Sequence, residues 1–216
     1  MSLPVLIPVN RLDRAKGRLA ALLEPGERET LALITFETVL RAAGPGAIVL
    51  TADPTIAKAA GGRARVLAEA PGAAGLNGQL EAALRRLAAE PSRLSSVLIL
   101  HADLPLASEG AIAAFREAST PDSVVLCESY DGGTNAMLLR PPGGFPLHYG
   151  PDSFALHIAA AREAGMAVHS LPNRELRLDL DTRDDVARLV AAQRGRQGAA
   201  GRYLLSIGIE ERLATM

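Results

Sequence analysis

Apolar and polar positions along the 216-residue chain fall into two alternating kinds of segment. Short continuous apolar runs, such as Val97-Leu-Ile-Leu100 and Val124-Val-Leu-Cys127, predict strands buried on both faces. Runs of this kind place strands at 3–8, 47–51, 64–68, 96–101, 123–127, 136–140, 167–171 and 176–180. Between them apolar residues recur at helical spacing. Leu76, Leu80, Leu84 and Leu87 share one face of a helix over 76–90, and Val186, Leu189 and Val190 share another. Helix starts are marked by Pro25-Gly26 before a helix over 27–42, by Asp53-Pro54, by Ser153 opening a helix to about residue 164, and by Thr182-x-x-Asp185. Such alternation predicts an α/β fold, a mostly parallel sheet with helices on both faces. The runs between 123 and 140 lie too close for an intervening helix. They predict a hairpin around Asp131-Gly-Gly133 and hence a mixed sheet.

The pattern changes after Gln193. Residues 1–192 read as a single domain, and 193–216 as a Gly-rich linker (Arg194 to Gly201) followed by a tail helix over 203–215. The tail carries Leu204, Leu205, Ile207, Ile209 and Leu213. That much apolar surface calls for cover, either on its own domain or across a homodimer.

Composition narrows the function classes. Hydrophobic residues make up 48% but aromatics only 3%, with no Trp, so Ala, Leu and Val must fill the core. There are 23 Lys+Arg and 24 Asp+Glu, a net charge of -1, and no basic stretch is interleaved with aromatics. This argues against a nucleic-acid partner. No apolar run approaches transmembrane length, which argues against a membrane. The apolar run from Met1 to Val9 lacks a basic leader and breaks at Pro8, so it reads as a first strand, and the expected location is cytoplasmic. Cys127 stands alone in an apolar run and reads as a small core residue.

The candidate chemistry lies at the ends of the apolar runs. Ser96-Val-Leu-Ile-Leu-His-Ala-Asp103 and Leu176-Arg-Leu-Asp179-Leu-Asp181 each deliver carboxylates to the carboxyl edge of a sheet, where open α/β folds bind ligands. Asp179 and Asp181 alternate on one strand and share a face. With Asp103 they form an oxygen-rich site suited to Mg²⁺. Strand one runs into a loop carrying Arg11, Arg14, Lys16 and Arg18, cations able to hold a triphosphate, although the glycine spacing is not that of a Walker A loop. Asp131-Gly-Gly-Thr134-Asn135 offers backbone amides and a hydroxyl to an anion. Gly150-Pro-Asp-Ser153-Phe offers the same at a helix start. Gly75-Leu-Asn77-Gly-Gln79 places two amide side chains at another helix start. Taken singly, each motif also has an ordinary structural reading as a cap, a tight turn or a solvated loop. His157 falls on an apolar helix face and reads as structural, while His101 sits two residues before Asp103.

In order along the chain, these motifs resemble the 2-phospho-L-lactate guanylyltransferase family of coenzyme F420 biosynthesis, from Leu3 to Val190. The resemblance implies a Rossmann-like nucleotide-diphospho-sugar transferase fold, similar to molybdenum-cofactor guanylyltransferases. It implies GTP and a small phosphorylated carboxylic acid as substrates: 2-phospho-L-lactate, phosphoenolpyruvate or 3-phospho-D-glycerate. It further implies Mg²⁺ on Asp103, Asp179 and Asp181, the triphosphate on Arg11, Lys16 and Arg18, the nucleotide base or ribose on Asn77, and the acceptor on Thr134, Gly150 and Ser153. Asp103, Lys16 and Arg11 would be the catalytic groups. The alternatives are another nucleotidyltransferase of the same fold, with a molybdopterin or sugar-phosphate acceptor, or a non-catalytic nucleotide-binding module. One departure stands out: family members usually carry Lys where this chain has Asn10.

Overall fold

A computed structural model describes residues 3–90, 94–143 and 145–215, so Met1 and Ser2 of the amino-terminal run lie outside it. Among the described residues, seven strands form one sheet: β1 (Val5–Pro8), β2 (Ala47–Leu50), β3 (Arg65–Leu67), β4 (Val97–Leu100), β5 (Ser123–Glu128), β6 (Thr134–Arg140) and β7 (Ala167–Ser170). Their order is β3-β2-β1-β4-β6-β5-β7. Only β6 runs antiparallel to its neighbours, as the short 123–140 connection requires. The sheet is therefore mixed, and the order reverses beside β1 and β4, where an α/β sheet opens a crevice at its carboxyl edge.

The inner strands are apolar at successive positions because both faces are covered. On one face Val5, Ile7, Val49, Leu98 and Leu100 pack against Phe36 and Val39 of α1 (Pro25–Ala43), Ile56 of α2 (Pro54–Ala60) and Phe115 of α4 (Glu109–Ala118). On the other, Leu6, Leu50, Val97 and Ile99 meet Leu80, Leu84 and Leu87 of α3 (Gly75–Ala88), with Ala160 and Ala161 of α5 (Ser153–Glu163). Cys127 is buried in the first of these cores. No helix among the described residues is long and apolar enough to cross a membrane.

Residues 176–180 do not form the expected eighth strand. The apolar alternation is real, since Leu176, Leu178 and Leu180 are all buried. The segment instead runs past the end of the sheet and is held by bonds such as Leu180 N–H to the Asp103 carbonyl (3.2 Å). The Asn135 amide donates to the Leu176 and Arg177 carbonyls.

The Gly-rich stretch is not a linker either. It forms α7 (Gln193–Gln197) and α8 (Ala199–Ser206), following α6 (Arg183–Ala191). Its glycines serve close packing: a Cβ on Gly195 would lie 2.0 Å from the Leu189 carbonyl, and one on Gly201 would lie 2.0 Å from the Gly195 carbonyl. Gly201→Ala is expected to force α8 off α7. It should cost about 3 kcal/mol by overpacking, a fall of roughly 6–12 °C in melting temperature for a domain of this size. An unchanged melting temperature would show that this contact gives way freely.

The expected tail helix is two helices, α8 and α9 (Ile209–Ala214), parted where Gly208 takes a left-handed turn (φ 72°). Leu204 and Ile209 pack with Leu19, Leu22, Leu23 and Leu31, and Arg212 pairs with Glu27 in α1 at 2.6 and 2.8 Å. The tail thus finds its cover within its own chain, and its apolar face does not call for a second copy.

Candidate active site

Site building begins with the loop after β1. The Asp53 carboxylate caps α2 through the Thr55 and Ile56 amides (2.7 and 3.2 Å) and also accepts the Leu12 amide (2.9 Å). Burial opposes its charge, but these three amides outweigh burial and hold its pKa below the usual carboxylate value. One buried side chain therefore fixes both the start of α2 and the course of the basic loop. Farther along, Lys16 adopts a left-handed backbone (φ 55°), uncommon for a residue with a Cβ. The next residues bury Leu19 among Leu31, Leu178 and Leu204, so the tail braces the loop from below.

This course carries the Lys16 side chain inward, where it is only 4% exposed. Its ammonium lies 3.0 Å from Asp103 Oδ2 and 3.2 Å from Asp181 Oδ1. Burial opposes its charge, yet Asp103 and then Asp181 outweigh burial and hold the Lys16 pKa above its ordinary value. Asp103, just beyond β4, is pushed up by burial but held below the usual range by Lys16. Asp179 has no such partner. Burial first, then Asp103, push its pKa up to about 7, against a stabilising bond from Asn135 Nδ2 (3.1 Å) and a weaker one from its own backbone amide.

Oxygens of Asp103, Asp179 and Asp181 all lie within 4.8 Å of one another. Asp103 Oδ1 is buried without a hydrogen-bond partner. Three clustered carboxylates, two of them paired to one ammonium and one of their oxygens orphaned, make a donor set that fits a hard divalent cation. Asp103 and Asp181 border a cavity of about 530 Å³ that continues past Asn10 and Arg14 to Glu69, Leu76 and Gln79, while Asp179 stands outside the lining.

The remaining expected residues fall in three places. Arg11 pairs with Asp13 (3.1 Å), is half exposed, and stands outside the cavity lining. Arg18 is exposed and likewise stands outside the cavity lining. Asn77 has both ends of its amide in use: Oδ1 accepts the Tyr149 amide (2.8 Å) and Nδ2 donates to the Tyr149 carbonyl (3.0 Å). It joins the start of α3 to the 149–150 loop.

Thr134 and Ser153 come together from separate motifs, their hydroxyls 3.2 Å apart and both buried. His157 explains their setting. The His148 amide donates to His157 Nε2 (2.9 Å), and burial, then His148, push the ring's pKa down to about 4. The neutral ring therefore carries its proton on Nδ1 and donates to Thr134 Oγ1 (2.9 Å). The Gly-Gly turn is tied in as well, because the Phe154 amide donates to the Gly132 carbonyl (3.2 Å) and the Gly133 amide to Asp131 (3.1 Å). Gly150, exposed at φ 143°, borders this network and accepts the Ser153 amide (3.2 Å).

The parts played by several groups emerge only in three dimensions. Asn135 orients Asp179, Asp53 sets the basic loop, and Arg14 lines the cavity. His101 Nε2 and the Tyr149 hydroxyl are buried without partners, their rings 5.2 Å apart. Asn135 had a signal in the sequence, its place in the Gly-Gly-Thr-Asn motif. Tyr149 had none.

A reversal in strand order, a cavity at the carboxyl edge and three clustered carboxylates, two of them paired to a buried lysine, define a nucleotidyltransferase. The same fold occurs in a Desulfovibrio desulfuricans G20 protein described as a nucleotide-diphospho-sugar transferase, with TM-score 0.76 at 16% identity, over 100% of this chain and 98% of that one. The chain belongs to the family described as guanylyl transferase CofC like, which matches residues 3–214. It is 37% identical over 201 residues to the phosphoenolpyruvate guanylyltransferase of Rubrobacter xylanophilus, covering 89% of this chain and 95% of the relative. It is 32% identical over 188 residues to the 2-phospho-L-lactate guanylyltransferase of Methanothermobacter thermautotrophicus, covering 86% and 82%.

Proposed function

We propose that this protein transfers the guanylyl group of GTP to the phosphate of a small phosphorylated carboxylic acid, a step in building coenzyme F420. The observation that carries this reading is the Asp103–Asp179–Asp181 cluster, with Lys16 paired to Asp103 and Asp181 at one end of the cavity. An oxygen of the acceptor's phosphate attacks the α-phosphorus. The bond from that phosphorus to the bridging oxygen breaks, and pyrophosphate leaves with the electron pair. No side-chain nucleophile is needed, because positioning and charge neutralisation supply most of the rate in phosphoryl transfer.

Each residue has a part. Asp103, Asp179 and Asp181 would hold Mg²⁺, which would supply positive charge to offset that of the reacting phosphates. Lys16 and Arg14 neutralise the triphosphate from the cavity lining, and Arg11 and Arg18, outside that lining, add positive charge to the same loop. Thr134, oriented by His157, has its own hydroxyl hydrogen left to donate toward the acceptor's carboxylate, with Ser153 and Gly150 beside it. Asn77 acts through the loop it holds.

The test is pyrophosphate release and product mass with GTP, Mg²⁺ and each of phosphoenolpyruvate, 2-phospho-L-lactate and 3-phospho-D-glycerate. Phosphoenolpyruvate is the first to try, since a relative at 37% identity is named for it. One acceptor is expected to turn over; silence with all three would overturn the reading. Cation binding carries a pH signature. With Asp179 at about 7, a proton must leave before a divalent cation binds. Mn²⁺ affinity should therefore drop by about tenfold per pH unit below 7. Asp179 is raised in the folded state, so in cation-free protein its contribution to stability declines as pH rises from about 4 to 7. Flat Mn²⁺ affinity from pH 6 to 8 would remove Asp179 from the cation site.

A further inference from the structure

Guanine differs from the other bases in presenting two adjacent donors, N1–H and the exocyclic amino group. A protein that reads this edge must offer two acceptors side by side, and a carboxylate is the side chain built for it. The cavity contains such a group away from the triad. Its polar side chains there are Asn10, Arg14, Thr35, Glu69 and Gln79.

Four of these are poor readers. Gln79 uses Oε1 on the Ala70 amide (2.7 Å) and Nε2 on the Ala70 and Ala73 carbonyls (3.1 and 3.0 Å). The Thr35 hydroxyl donates to the Ala32 carbonyl (3.0 Å). Asn10 Oδ1 accepts the Arg11 amide (2.8 Å), and Arg14 has no acceptor to offer. Glu69 alone keeps two acceptor oxygens free of any hydrogen bond or ion pair among the described residues.

We propose that Glu69 is the residue that selects guanine, its carboxylate accepting N1–H and one hydrogen of the exocyclic amino group. This rests on the functional reading above. Glu69 is half-buried just beyond β3, between two clamped peptides: Arg86 donates to the Ala68 carbonyl (2.8 Å), and Gln79 holds Ala70 at both its amide and its carbonyl. The carboxylate's backbone is thus set before nucleotide arrives, which lowers the ordering cost of binding. Leu12 lines the same cavity, as does Leu76, a large side chain left 39% exposed, and these give the base apolar faces to lie against. β3 and β4 are three strand spacings apart, roughly 14 Å. That separation sets the base at one end of the cavity and the α-phosphate at the triad.

The test measures GTP, inosine triphosphate (which lacks the exocyclic amino group) and ATP binding by calorimetry with Mg²⁺, on the parent, Glu69→Ala and Glu69→Gln. The parent should bind GTP about 10- to 100-fold tighter than inosine triphosphate, the value of one hydrogen bond to a charged acceptor. In Glu69→Ala that ratio should approach one and the gap between GTP and ATP should close. Glu69→Gln, with one acceptor left, should fall between. Melting temperatures confirm that the variants fold. A parental GTP to inosine triphosphate ratio in Glu69→Ala would overturn the assignment, and continued GTP turnover by that variant would leave the enzyme reading standing. Failure of the parent to bind GTP would instead bring down the functional reading, and this assignment with it.

Discussion

Replacing Asp103 by Asn is expected to lower guanylyl transfer by about 10²–10³-fold or more, the scale seen when one preorganised electrostatic group is removed from a reacting centre. Asp103 is the member of the triad with the most to lose. It accepts the Lys16 ammonium through Oδ2 and leaves Oδ1 buried and unpartnered, directed by geometry to a ligand and not to the protein. Asn matches its size but brings no charge, and its amide nitrogen cannot serve as a hard-cation ligand. The backbone bond from Leu180 N–H to the Asp103 carbonyl does not depend on the side chain, so the fold should hold. Pyrophosphate release and Mn²⁺ binding should fall together. Turnover near the parental rate, with Mn²⁺ still bound tightly, would remove Asp103 from the cation site.

Lys16→Met should separate two roles of one side chain. In cation-free protein the lysine is the counter-charge for carboxylates that lie within 4.8 Å of one another. Without it, like charges raise one another's pKa and oppose folding at neutral pH. The loss should be less than the ~3–5 kcal/mol of a fully buried pair, because Asp181 is 39% exposed. Added Mg²⁺ should restore more melting temperature in Lys16→Met than in the parent, since the cation then supplies the missing charge. Turnover should nonetheless stay about 10²-fold or more below the parent with saturating Mg²⁺, because the triphosphate has lost a fixed positive group. Parental turnover in Lys16→Met would show that the lysine serves stability alone.

Much of this architecture was legible in the order of residues. β1, β2, β4, β5 and β6 are each buried, or nearly so, on both faces, so their apolar runs were continuous and unambiguous. The Asp53-Pro54 and Thr182-x-x-Asp185 starts were visible because capping is local, involving groups two or three residues apart. Residues 176–180 misled because alternation reports burial on one side, and an extended segment lying on the sheet's edge alternates as well as a strand does. The Gly-rich stretch misled for another reason. Glycine marks either freedom or close approach, and only the neighbouring Leu189 and Gly195 carbonyls distinguish the two at Gly195 and Gly201.

The site divides in the same way. Residue type and position alone marked Asp103, Asp179 and Asp181 as carboxylates at the ends of apolar runs, and the structure brings these three together. They also marked the basic loop as a whole, but not which cation turns inward. Lys16 enters while Arg11 pairs with Asp13, because the Asp53 bond to Leu12 and the left-handed turn at Lys16 set the loop's path. Asn77 reads in the sequence as a nucleotide ligand or a helix cap, and it is bonded at both ends of its amide to Tyr149, 72 residues away.

The sequence by itself determined the β–α alternation, the buried strands and the chemical inventory of the site, since burial pattern and residue type are properties of short segments. Tertiary structure alone decided which donors were already satisfied, which backbones touched and which charges faced one another. Those depend on contacts between residues far apart in the chain: Lys16 with Asp181, Asn135 with Asp179, Thr134 with His157. A polar group is available to a ligand only when no such distant partner has claimed it, and that is a property of the folded chain.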